Sequence, residues 1–215
     1  MTRIAIFASG SGSNAENLIC NITEGKVVLL LCNNPKAFVL ERAKKHQVPS
    51  VVFTAGQLEQ KGATTQQKSV LDILQAYQID LILLAGFLWK IPQHVLDAFP
   101  ERILNIHPAL LPRYGGKGMY GNKVHEAVLS NLKSGRDVPA VENSTGTSGI
   151  TIHLVDEHYD KGRILFQASC PVDRTDTVQT LAQKIHTLEH RHFPQVVDQY
   201  IAGLKKPATT RRATT

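Results

Sequence analysis

In Leu104-Asn105-Ile106-His107-Pro108, a side-chain amide and an imidazole stand two residues apart at the end of an apolar run. Arg102 to Ile106 reads as a short buried strand that Pro108 ends, because proline cannot donate to a sheet ladder. Alternate residues of a strand share a face, so Asn105 and His107 project the same way from its C-terminal end. A neutral amide donor then lies beside a group that titrates near neutral pH. At the C-terminal edge of a parallel sheet this pair suits acyl transfer, one member steadying an oxyanion and the other handling protons. An Asn-His pair of this kind also serves simply to cap strand ends, and the local pattern leaves both readings open.

The elements that must position the pair alternate along the chain. Ile4 to Ala8 is a continuous apolar run typical of a buried parallel strand. It breaks into Ser9-Gly10-Ser11-Gly12-Ser13-Asn14, and a helix is predicted from Ala15 to Asn21. A glycine- and serine-rich turn between strand and helix leaves backbone N–H groups free at a helix N-terminus, which is a cradle for phosphate. A side chain at Gly12 is expected to intrude where backbone approaches the anion. Gly10-x-Gly-x-x-Ala15 loosely fits the dinucleotide fingerprint. The second strand, Val27 to Leu31, runs into Cys32-Asn33-Asn34-Pro35 without the acid that would hold a ribose, so a phosphate monoester is preferred to NAD. The same residues would also make a purely structural tight turn.

Further along, Phe38–His46 reads as a helix, Ser50–Phe53 as a strand, Thr54–Gln67 as a loop and Lys68–Tyr77 as a helix. Asp80–Gly86 is apolar enough to be covered on both faces. Pro92 opens a short helix ending near Ala98, and Asn122–Leu132 forms another. Lys133–Thr147 loses all periodicity and reads as a mobile surface loop. Ser148–Val155 alternates, with Ile150, Ile152 and Leu154 on one face and Thr151, His153 and Val155 on the other. Ile164–Ser169 alternates less cleanly, and the acidic turn Asp156-Glu157-His158-Tyr159-Asp160 lies between these two strands. The last helix runs from Thr177 to Leu204, with a kink or new turn expected at Pro194. The predicted fold is α/β, a doubly wound, mostly parallel sheet with helices on both faces. Residues 1–204 form one domain, and 205–215 a disordered basic tail.

Composition narrows the function classes. No run approaches the roughly 18 apolar residues of a membrane span, and the N-terminus runs straight into a strand without signal-peptide architecture. Cys20, Cys32 and Cys170 are odd in number and lack metal-ligand spacing, which points to the cytoplasm. The net charge is +6, but Lys205, Lys206, Arg211 and Arg212 carry much of it. The remaining residues have 20 basic against 18 acidic groups, a net of +2. A mildly basic body with no RNA-binding aromatic signature fits an anionic small molecule and no nucleic acid.

Three separated blocks together resemble the phosphoribosylglycinamide formyltransferases, folate-dependent enzymes of purine synthesis. They are Gly10-Ser11-Gly12-Ser13-Asn14, Asn105-Ile106-His107-Pro108-x-Leu110-Leu111-Pro112, and Ser148-Gly149-Ile150-Thr151-Ile152-His153 running on to Asp160. The resemblance covers about residues 3 to 204; the Asn-x-His-Pro block alone is shared with other formyltetrahydrofolate enzymes. It implies the formyltransferase fold, with a Rossmann-like N-terminal half. Asn105, His107 and Asp160 would be catalytic, with Asp160 holding His107 protonated. Gly12, Ser13 and Asn14 would bind substrate phosphate, with His186 as its neighbour, and Glu189 would contact the ribotide. Leu88, Trp89, Lys90 and Ile91 would line the pteridine pocket together with Asn105 and Asp156. The co-substrate would be 10-formyltetrahydrofolate, no metal would be needed, and the protein would be a cytoplasmic monomer or homodimer.

Departures from the family pattern are Trp89-Lys90, where an arginine and an aliphatic residue are usual, Gly115-Gly116-Lys117-Gly118-Met119 in place of a shorter Pro-Gly segment, and a long Lys133–Thr147 loop. The second and third are expected to touch loops rather than catalytic positions. Lys61 and Lys68 are candidates to anchor the folate glutamate tail. His186-x-x-Glu189-His190 also matches an inverted zinc-protease signature, for which Asp198 is the one downstream ligand on that helix. A formyltetrahydrofolate hydrolase would use the same Asn-His-Asp set, and a non-catalytic nucleotide-binding module would use the glycine-rich loop. The hydrolases usually carry an N-terminal regulatory domain and the methionyl-tRNA formyltransferases a C-terminal RNA-binding domain, whereas this chain starts at its first strand and ends in a short tail. A nucleotide module would not require Asp160 to lie near His107.

Overall fold

A computed structural model describes residues 1–63, 67–134 and 146–205. Its seven-stranded sheet has the order β3-β2-β1-β4-β5-β6-β7. The strands are β1 Thr2–Ala8, β2 Gly25–Cys32, β3 Ser50–Val52, β4 Leu81–Leu84, β5 Ile103–His107, β6 Gly146–Leu154 and β7 Ile164–Val172. β1 to β5 run parallel, whereas β5–β6 and β6–β7 pair antiparallel. The sheet is therefore doubly wound and mostly parallel, as the alternation of strand and helix patterns predicts.

Both sheet faces are covered, which is why Ile4–Ala8 of β1 and all of β4 read as unbroken apolar runs. One face packs against α1 Ser13–Asn21, α2 Val39–Lys45, α6 Asn122–Lys133 and α7 Val178–Lys205, with Leu18, Ala43, Leu132 and Ile185 among the buried residues. The other packs against α3 Ala55–Glu59, α4 Val70–Ala76 and α5 Gln93–Ala98, with Leu58, Leu74 and Val95 buried beside Phe7 and Ile82.

Local departures from the predicted elements have visible causes. The expected loop Thr54–Gln67 contains α3, closed by a capping box in which the Thr54 hydroxyl accepts the Gln57 N–H and the Gln57 side chain accepts the Thr54 N–H. β5 runs one residue further than expected because β6 pairs His107 with Thr151. α7 passes through Pro194 as a single helix. The loop predicted over 133–147 falls largely on 135–145, and the predicted tail on 206–215, outside the described residues.

Candidate active site

The strand order reverses between β1 and β4, so their C-terminal ends open a crevice. A cleft of about 800 Å³ occupies that crevice and is lined by segments following β1, β4 and β5, by the 156–160 turn and by α7. The expected catalytic, ribotide-binding and pteridine-pocket residues all line it: Asn105, His107 and Asp160; Gly12, Ser13, Asn14, His186 and Glu189; Leu88, Trp89, Lys90, Ile91 and Asp156.

At one end, Gly12 sits at φ +77° as the N-cap of α1, whose first turn has no side-chain cap. The loop is held from outside by Arg42, which donates from Nε to the Ser11 carbonyl at 2.9 Å and pairs with Glu16. A Cβ at Gly12 would lie 2.3 Å from Val39 Cγ2. This corrects the expected reason for glycine: a side chain there meets the packed face of α2, not the space an anion would fill. Asn14 Nδ2 donates to Glu189 Oε2 at 2.9 Å, and Asn14 Oδ1 is buried without a partner among the described residues. Burial pushes the Glu189 carboxyl above its ordinary pKa, against the stabilising Asn14 bond.

In the same cleft, His107 is buried and Asp160 Oδ2 lies 3.6 Å from its Nδ1. His107 Nε2 lies 2.8 Å from the Tyr114 carbonyl oxygen, an obligate acceptor, so this nitrogen carries the ring proton. Both ring nitrogens thus face oxygen acceptors, and a second proton would complete a charge-assisted contact to Asp160. Burial nevertheless holds the His107 pKa below its ordinary value; the pull of Asp160 and the Tyr114 bond only partly offset it. The expectation that Asp160 keeps His107 protonated in the free site is therefore corrected, because desolvation outweighs the ion pair. Asp160 itself is shifted down. Its own burial is the largest influence and works the other way, but the neighbouring His153 and His107 and the Gly116 N–H together prevail.

His153, which is not among the residues predicted for the site, holds these groups in register. β6 places it directly opposite Asn105. Its Nδ1 lies 2.8 Å from the Leu154 carbonyl and must donate to it, so Nε2 accepts from Asn105 Nδ2 at 3.1 Å. The same Nε2 stands 3.6 Å from Asp160 Oδ1. Asp160 has φ 55°, and Gly116 N–H donates to its Oδ2 at 2.9 Å. A Cβ on Gly115 would come within 3.1 Å of the Asp160 Cβ and 2.6 Å of Leu111 Cδ2. The Gly115–Met119 segment, expected to concern only a loop, therefore touches a site carboxylate directly. The turn into His107-Pro108 is pinned by Thr151, whose hydroxyl accepts Leu111 N–H at 2.9 Å and donates to the Ala109 carbonyl at 2.7 Å.

The wall formed by residues 87–91 is largely apolar and adjoins the glycine-rich loop, where the Leu88 N–H donates to the Ser9 hydroxyl at 3.1 Å. Trp89 meets Phe53 and Phe87 edge-on, and Ile91 is buried, so both pack as well as line the wall. Leu88 is about half exposed, and Lys90 Nζ lies 6.0 Å from the Tyr159 ring centroid. Lys61 and Lys68 do not line the cleft, whereas Lys90 and Lys117 do. As for the zinc signature, His186 and His190 stack at 3.9 Å, but Glu189 is bonded to Asn14 and Asp198 accepts the Thr23 and Glu24 N–H groups instead. The close His107–Asp160 approach, which a nucleotide-binding module would not need, is present.

Comparison with known proteins places the whole constellation in context. The Formyl transferase family model matches residues 2–197. A chloroplastic phosphoribosylglycinamide formyltransferase of Arabidopsis thaliana is 41% identical over 91% of this chain and 64% of its own length. The phosphoribosylglycinamide formyltransferase of Bacillus subtilis (strain 168) is 36% identical over 94% of this chain and 95% of its own. Among solved structures, phosphoribosylglycinamide formyltransferase from Bacillus halodurans superposes with a TM-score of 0.76 at 33% identity, covering 95% of this chain and 97% of that one. Glycinamide ribonucleotide transformylase 1 from Symbiobacterium toebii gives 0.76 at 30% identity, over 94% and 89%.

Proposed function

The chain belongs to the formyl transferase family, and we propose that it transfers the formyl group of 10-formyltetrahydrofolate to the amine of 5'-phosphoribosylglycinamide. The observation that carries this reading is the His107–Asp160 pair, 3.6 Å apart, in one cleft that an uncapped helix N-terminus and an apolar aromatic wall also line. A phosphate monoester suits the helix N-terminus and a flat heterocycle the aromatic wall, and the pair lines the same cleft as both, where an amine and a formyl group can meet.

The chemistry follows from the side chains. The amine nitrogen attacks the formyl carbon, a C–N bond forms and the carbonyl electron pair moves onto oxygen. Asn105 spends one amide N–H on His153, which orients it, and its second N–H donates to the oxyanion. Such a donor is worth about 3 kcal/mol in comparable sites. As the attack develops, the proton shed by the amine nitrogen passes through water to His107 Nδ1, and Asp160 receives the new N–H. Asp160 and the same water return that proton to N10 of the folate as the oxyanion electron pair re-forms the carbonyl and the C–N10 bond breaks. The products are formylglycinamide ribotide and tetrahydrofolate, and no step calls on a metal ion. In this reading Gly12, Ser13 and Asn14 hold the phosphate with His186, and Glu189 accepts from the ribose. Leu88, Trp89, Lys90, Ile91 and Asp156 frame the pteridine. Three free thiols, one of them exposed, accord with a reducing compartment such as the cytoplasm.

The deciding experiment is an assay of formyl folate turnover with and without the ribotide. Turnover only with ribotide is expected. Equal turnover without it would replace the transferase by a hydrolase, which draws on the same Asn-His-Asp set.

A further inference from the structure

His125 is the unexplained group of the cleft. It lies in the second turn of α6, is 5% exposed, and lines the same cleft as His107. Its Nδ1 is sealed from solvent and has no hydrogen-bond partner among the described residues. An imidazole stranded in this way is costly, because a buried polar atom without a partner forfeits about 1–3 kcal/mol of hydration. An apolar side chain would fill the position at no such cost, so packing does not account for a histidine here.

The position also fixes which face of the ring is usable. Placing the proton on Nδ1 would strand a buried donor, whereas leaving a lone pair there strands only a weaker-held acceptor. The proton therefore sits on Nε2, the nitrogen left to meet the cleft. A charged ring is disfavoured by burial first, then by the facing His107, and it would also stand near the positive end of α6. Gly121, the N-cap of α6 at φ 54°, offers no side-chain cap, and the approach to it from Gly116 to Asn122 forms one wall of the cleft.

We propose that His125 is a substrate-contacting residue, whose Nε2–H donates to the carboxamide oxygen of the amine substrate. This rests on the ribotide as substrate. His125 lines the same cleft as His107, and the wall leading into α6 begins at Gly116, whose N–H holds Asp160 at 2.9 Å, so His125 belongs with the reacting groups. The carboxamide oxygen is the uncharged acceptor nearest the attacking amine. A donor on that oxygen fixes the amine's approach to the formyl carbon without adding charge beside His107.

The test compares the wild type with His125→Phe and His125→Gln, by calorimetric titration with the ribotide and by melting temperature. His125→Phe should melt at or above the wild-type temperature, because it removes a stranded buried nitrogen, yet bind the ribotide about tenfold or more weakly. His125→Gln, which keeps an N–H near the Nε2 position, should recover most of that affinity. A ribotide analogue with the carbonyl reduced to methylene should bind wild type and His125→Phe equally, since the two changes remove one contact. Ribotide binding by the wild type with an unchanged affinity in His125→Phe overturns the contact alone. A wild type that binds no ribotide overturns the substrate assignment itself and the contact with it. If His125→Phe does not fold, unequal affinity of the wild type for ribotide and methylene analogue upholds the contact, and equal affinity overturns it.

Discussion

Neutralising Asp160 separates its electrostatic role from its place in the fold. Asp160→Asn keeps the side-chain shape, and asparagine tolerates the left-handed backbone at φ 55° about as well as aspartate. The amide oxygen can still accept the Gly116 N–H. What is lost is a unit charge 3.6 Å from His107 Nδ1. At an effective dielectric of about 20, two unit charges at that separation interact by roughly 4–5 kcal/mol. That interaction exists only when His107 is protonated, and in the free site burial keeps the ring mostly neutral at pH 7. The loss therefore falls on the transition state rather than on ground-state binding, and amounts to about a thousandfold in rate. Initial rates at saturating substrates should show that drop, with calorimetric affinities for both ligands changed less than about threefold. Carbon-detected NMR titration should find the His107 pKa lower still in the variant, because burial then acts unopposed by the carboxylate. A kcat within tenfold of wild type would refute the electrostatic argument and turn attention to Asp156 and Glu157.

Further consequences are equally open to measurement. Gly12→Ala should cost about 2–4 kcal/mol in urea denaturation, from left-handed backbone strain plus overlap with Val39. A stable Gly12→Ala with selectively lost ribotide binding would restore the simpler view that this glycine serves only the anion. Thr151→Val leaves Leu111 N–H and the Ala109 carbonyl without their side-chain partner, at about 2–4 kcal/mol, and should depress kcat by loosening the His107–Pro112 turn. Unchanged stability there would mean the turn is held by different contacts. His107, His125, His190 and His192 all have pKa values pushed below 6.5, burial being the leading cause for each. The unfolded chain then binds more protons than the folded one once pH falls below about 6.5, so stability contributed above that pH is lost on acidification. Glu189, whose raised pKa works the other way, is removed by Glu189→Gln; in that background the melting temperature should be lower at pH 5 than at pH 7.5, and a flat profile would contradict the four assignments.

Strand and helix alternation was legible because its causes are local. β4 and the Ile4–Ala8 stretch of β1 are buried on both faces and must be apolar, and Pro92 and Pro108 mark boundaries through chemistry that needs no partner. Ser9–Asn14 and Asn105-x-His107 likewise announce themselves, because a helix N-terminus and a strand end are short-range constructions. Asp160 was reached through resemblance: its 55-residue separation from Asn105 has no meaning until β6 runs back antiparallel and the following turn folds onto β5. The same pairing decides that His153 faces Asn105, a consequence of register that no single segment contains. Why Gly12 and Gly115 are glycines was also a tertiary matter, since Val39 and Asp160 approach them from distant parts of the chain. The protonation state of His107 belongs to that level too. A carboxylate in the sequence suggests a charged partner, but only the packed structure supplies the desolvation that keeps the ring neutral until the reaction gives it a charge to meet.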